Sequence, residues 1–128
     1  MKTLQDITVS LDLAKELKKL GFPQDTYFYW SKNMDLKNWK IENRQFYKID
    51  KRSDMSAPTT EELLEWLPDI VRGRNAWIMG RYKEHFIIKY TNKDNELDSI
   101  QTTGIGLANC LAEMVIYLAK NKIIKFER

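Results

Sequence analysis

The chain has one cysteine, one histidine, five glycines and three prolines among its 128 residues. Cys110 alone excludes an intramolecular disulfide and a cysteine-cluster zinc site, and His85 alone excludes a histidine-pair metal site within one chain. The neighbours of Cys110 have helical character, so it reads as a small buried hydrophobe kept reduced in a cytosol. A Cys110–His85 nucleophile pair is arithmetically open, but mid-helix and mid-strand positions seldom expose one. The glycines form no phosphate loop: TTGIG (102–106) lacks the full G-x-x-x-x-G-K-[ST] and G-x-G-x-x-G patterns. Glu61 and Glu65 could act as a carboxylate pair, yet no third ligand lies near them in sequence, and they read as the solvated first turn of a helix. No window approaches the roughly 18 apolar residues of a membrane span. Asp6 and Asp12 interrupt MKTLQDITVSLDLAKE, which is unlike a signal peptide. These features predict a cytoplasmic, non-enzymatic protein without metal or cofactor.

Hydrophobic residues make up 43% and charged residues 30%, a globular balance, and the length predicts a single domain over residues 1–128. Net charge is only +3, but its distribution is uneven. Residues 54–69 carry Asp54, Glu61, Glu62, Glu65 and Asp69 without a lysine or arginine. Residues 72–89 carry Arg72, Arg74, Arg81, Lys83 and Lys89 against Glu84 alone. An acidic helix followed by a basic hairpin gives the fold a polar asymmetry.

Periodicity predicts three helices. In LDLAKELKKLG, Leu13, Ala14, Leu17 and Leu20 share one face, with Ser10 as N-cap and Gly21 as stop. Thr59 and Glu62 are spaced as a capping box for a second helix that should break near Leu67, before Pro68. The third runs from about Gly104 to Lys120, capped by Thr102 or Thr103, and IIKF follows as an arm or short strand. Strands are expected at TYFYW (26–30), at Arg44–Asp50 with a possible extension back to Trp39, and in a hairpin of AWIMGRY and HFIIKYT. NKDNELDS reads as a loop. The class is α+β in the order α-β-β-α-β-β-α, with a mainly antiparallel four-stranded sheet packed with three helices.

Candidate binding residues come from basic–aromatic mixing in FYKIDKR (46–52) and RGRNAWIMGRYK (72–83): Lys48, Arg52, Arg72, Arg74, Arg81 and Lys83. Such mixtures can contact RNA, arginine and lysine on phosphates and aromatics on unpaired bases. In DTYFYW, period two sets Thr26, Phe28 and Trp30 on one face and Tyr27 and Tyr29 on the other. The two tyrosines are therefore candidates for a second covered face or for a contact surface, and Phe28 with Trp30 for the core under the first helix.

LAKELKKLGFPQDTYFYW, SAPTTEELLEWLPDIV and LANCLAEMVIYLAKNK together resemble small proteins encoded by Bacteroidetes phages and prophages, of the phage αβα-sandwich type. The resemblance spans about Leu11 to Lys122. It brings no catalytic motif and implies action by binding, including the anti-CRISPR type in which a host RNA-guided nuclease is blocked. The partners it implies are a host protein, with RNA contact or a phage accessory or assembly role as alternatives, and a monomer or small homo-oligomer in the bacterial cytoplasm.

Overall fold

The computed structural model describes residues 7–33, 38–45, 53–71, 73–80, 85–92 and 94–126. Helix α1 spans Leu11–Lys19, with the Ser10 hydroxyl accepting from the Leu13 N–H. Its end follows from Gly21, which takes φ +94°, open to glycine without a Cβ penalty. The Phe22 N–H then reaches back to the Leu17 carbonyl, and Phe22 turns into the core.

Strand β1 is Phe28–Asn33, two residues later than the aromatic run suggests. It pairs antiparallel with β2 (Asn38–Asn43) and with β3 (Met55–Ser56). Of the strand expected over Arg44–Asp50, the extension back to Trp39 is present, Arg44 and Gln45 form a turn after Asn43, and residues 46–50 lie outside the described residues. What makes β2 is the alternation of Trp39 and Ile41, both packed against the core, within a polar stretch.

The capping box forms as expected. Glu62 Oε1 accepts from the Thr59 N–H at 3.0 Å, and the Thr59 hydroxyl accepts from the Glu62 N–H. Helix α2 is only Thr60–Leu64; two tighter turns, Trp66 to Leu63 and Leu67 to Leu64, carry the chain to Pro68. Then β4 (Ile70–Val71), β5 (Arg74–Gly80), β6 (His85–Asn92) and β7 (Asn95–Ile105) form a second antiparallel sheet in that order. The fold is thus α+β as the sequence predicts, and among the described residues a three-stranded antiparallel sheet accompanies the expected four-stranded one.

The largest local correction is β7. NKDNELDS was expected as a loop, but the strand begins at Asn95, directly after a turn in which Asn92 Oδ1 accepts from the Asp94 N–H. Thr102 and Thr103, expected as helix caps, are strand residues. Helix α3 (Leu107–Lys120) starts instead at Gly106, φ +84°, without a side-chain cap.

Helix α3 is the centre of the core. Eight of its fourteen residues are buried, which leaves only a narrow exposed stripe at Glu113, Tyr117 and Lys120. It lies against β6 and β7 on one side and touches α1 and α2 on another; α1 in turn packs on β3. Phe126 returns as an arm and meets Phe22 and Trp66 edge-on, at centroid separations of 5.2 and 5.4 Å.

Tyr90 of β6 is fully buried beneath α3 and donates its hydroxyl to the Pro68 carbonyl at 2.6 Å. Burial, reinforced by the Asp69 charge, pushes its phenol from near 10 up to about 12. A raised folded-state value means that the unfolded chain loses this proton first as pH rises. The contribution of Tyr90 is complete below about pH 10 and is lost as pH climbs toward 12. Urea unfolding followed across that window should show a falling midpoint in the native chain. Tyr90→Phe should start about 1 kcal/mol less stable and fall less steeply.

Candidate binding surface

The segment between α1 and β1 is knotted by Tyr29. Its hydroxyl donates to the Gln24 carbonyl and accepts from the Thr26 N–H, and its ring is buried. The Gln24 side chain accepts from the Ser56 N–H at 2.7 Å and donates to the Phe22 carbonyl at 2.9 Å. The Thr26 hydroxyl donates to the Phe28 carbonyl and is itself buried. Trp30 is also in the core, its indole N–H donating to the Val9 carbonyl.

This local folding overturns the expected split of the aromatic run. Tyr27 and Tyr29 do not share a face, because regular strand begins only at Phe28. Tyr29 is 5% exposed and belongs to the interior, whereas Tyr27 is 54% exposed.

Tyr27 is nevertheless fixed. Its N–H donates to Glu62 Oε2 at 3.3 Å, and its carbonyl accepts from the Arg44 N–H at 3.0 Å. The Arg44 guanidinium lies over the Tyr27 ring at 4.7 Å and donates to Asp25 Oδ1 at 3.2 Å. One carboxylate, Glu62, thus completes the α2 cap with one oxygen and holds the Tyr27 backbone with the other. An exposed cation–π pair and a surface ion pair each contribute only about 0.5–1 kcal/mol. Their consequence is geometric: an exposed aromatic and a guanidinium are already in place, so a partner need not order them.

Two carboxylates adjoin this stack, Asp25 on the Arg44 guanidinium and Glu62 on the Tyr27 backbone. Asp25 is almost wholly exposed, and Glu62 belongs to the acidic first turn of α2. Such a surface suits a basic partner better than a phosphate backbone.

Of the other residues selected from sequence, Lys48, Arg52, Arg72, Arg81 and Lys83 lie outside the described residues. Arg74 opens β5 opposite Val71 and Asn92, and is half-buried. His85 is exposed and pairs with Ile105 across the sheet, while Cys110 is buried on α3. Burial pushes the Cys110 thiol up, away from the reactive range. Among the described residues no group of three or more histidine, cysteine and acidic side chains could hold a metal ion, and no helix is long and apolar enough to cross a membrane. An open cleft lined by Leu20, Ala119, Ile124 and Phe126 carries Lys122 and Lys125; it lies where α1 and α3 both end, and lysines there offset the negative ends of the helix dipoles.

Sequence reasoning missed Arg44, Asp25 and Glu62 as partners of Tyr27. The available signal was the polar pair flanking the aromatic strand and its hairpin partner, Asp25 before one and Arg44 after the other. No protein-family model matches the chain, nor does any curated protein or solved structure.

The two tyrosines should separate cleanly in stability measurements. Tyr29→Phe removes a buried hydroxyl with two partners and should cost about 1–2 kcal/mol in urea unfolding. Tyr27→Ala, at an exposed position, should stay within about 0.5 kcal/mol of the native chain.

Proposed function

We propose that the protein is a non-enzymatic binding protein of phage or prophage origin that inhibits a host RNA-guided defence nuclease, an activity of anti-CRISPR type. The observation that carries this reading is the Tyr27–Arg44 stack, fixed and exposed beside the carboxylates Asp25 and Glu62. Tyrosine and arginine are enriched in interface cores, and a few such anchors supply most of a binding energy. Nucleases of this class hold their guide–target duplex in a positively charged channel. An aromatic anchor with carboxylates beside it is complementary to the wall of such a channel. The resemblance to phage and prophage proteins directs the choice of partner.

Direct RNA contact through Lys48, Arg52, Arg72, Arg74, Arg81 and Lys83 is the competing account, and salt separates the two. Phosphate contacts make affinity fall steeply with salt, roughly in proportion to the number of phosphates neutralised.

The test is capture of a purified RNA-guided nuclease by the immobilised protein, with and without guide RNA. Capture should persist without RNA, and Tyr27→Ala should weaken it by about 30-fold, the loss of one anchor worth about 2 kcal/mol. Asp25→Lys should also weaken it. Absence of capture under both conditions contradicts the proposal. So does capture only through RNA that is indifferent to Tyr27→Ala.

A further inference from the structure

Strand β7 is an outer strand of its sheet, eleven residues long. Among the described residues no segment pairs beyond it. Along residues 99–105 exposure alternates: Ser99, Gln101, Thr103 and Ile105 are exposed, and Ile100, Thr102 and Gly104 are half-buried toward α3. On such an edge every second residue directs its N–H and C=O away from the neighbouring strand. Natural edges are usually blunted by lysine, proline, charge or shortness. The run SIQTTGI (99–105) has none of these, and Ile105 is 61% exposed.

We infer that this edge pairs with the β7 edge of a second copy of the chain, antiparallel across a two-fold axis at Ile100. Centred there, Ser99 faces Gln101 of the second copy and Ile100 faces its own counterpart. In that register positions 96 and 98 fall opposite Gly104 and Thr102.

The exposed stripe of α3 fits the same axis. Cys110 stands on β7 at Thr102 and Gly104, bonded to Thr102 by two side-chain contacts. Glu113, Tyr117 and Lys120 lie within about 60° of one another, to one side of Cys110. The side toward β6 is covered, since Ile88 and Tyr90 are buried beneath the helix. The stripe therefore opens over the β7 edge. Tyr117 is about 10 Å further along the helix than Cys110, or about three strand residues, level with Ser99 and Ile100. A two-fold axis there brings Tyr117, itself 40% exposed, near its counterpart and sets Glu113 against Lys120 of the second copy. Lys120 already holds Glu16 at 3.2 Å and would bridge the two carboxylates. Strand edge and helix stripe are thus self-complementary about one axis, which favours a second copy over an unrelated extended peptide.

Sedimentation equilibrium from micromolar to near-millimolar concentration tests this. The native chain should reach twice the 15.2 kDa chain mass. Ser99→Lys with Gln101→Lys places lysines across the axis on an exposed face and should raise the dimer dissociation constant at least about tenfold with an unchanged circular dichroism spectrum. Glu113→Lys should also weaken the dimer, and Glu113→Lys with Lys120→Glu should restore it in part. A native chain that stays at a single chain mass throughout overturns the inference, as does a dimer unaffected by the paired lysines.

Discussion

The structure hangs on one close approach. Gly104 of β7 lies directly under the first turn of α3, where an added Cβ would come within 2.7 Å of the Cys110 backbone nitrogen and 2.9 Å of its Cα. Strand and helix backbones meet there without a side chain between them. Two side-chain contacts close the same junction: the Thr102 hydroxyl donates to the Cys110 carbonyl at 3.2 Å, and the Cys110 thiol donates to the Thr102 carbonyl. Because α3 is so deeply seated, Leu111, Met114, Val115 and Leu118 can be fully buried on it. α1 and α2 then find a common surface, tied by Asn109, which accepts from the Ser10 N–H at 2.7 Å. The first sheet is held through α1 and through Trp30, not by direct continuation of the second sheet.

The Tyr27 surface follows from that frame. Its position requires α2 to end up beside the loop after α1, so that Glu62 can serve its own cap and the Tyr27 backbone together. A local helix signal in the sequence therefore has a long-range consequence: the capping box positions an exposed aromatic 35 residues away. The α3 stripe and the β7 edge depend on the same seating, since the rotation of α3 about its axis decides which residues face outward.

Much of this was legible from sequence, for physical reasons. Ser10, Gly21, Thr59 and Glu62 act through neighbours three to five residues away, and such signals survive without knowledge of the fold. The Cys110 helix was recognisable from its broad apolar stripe. The β5–β6 hairpin was also readable, since an apolar run marks each strand. β7 was not, because over residues 99–105 serine, glutamine, threonine and an isoleucine share one face and an isoleucine, a threonine and a glycine the other, so no apolar face stands out; the glycine that looked like a helix start is there to let α3 approach. β2 was legible only as an extension back to Trp39, since Trp39 and Ile41 are sparse apolar points in a polar run. The site was harder still. Tyr27 and Tyr29 differ in burial through a hydroxyl bond to the Gln24 carbonyl and the turn it closes, which period-two reasoning cannot foresee. The partnership of Asp25, Arg44 and Glu62 joins three separate segments.

Gly104→Ala tests the central claim most directly, since this glycine is not in the left-handed region and only space opposes a methyl group there. If the β7–α3 backbone contact governs the fold, urea unfolding of the variant should show a loss of about 1–3 kcal/mol, the cost of overpacking an interior that cannot yield. Cys110 should become more reactive toward a thiol reagent in the folded state, as α3 is lifted from the strand. An unchanged unfolding free energy, with Cys110 as protected as in the native chain, would contradict the account.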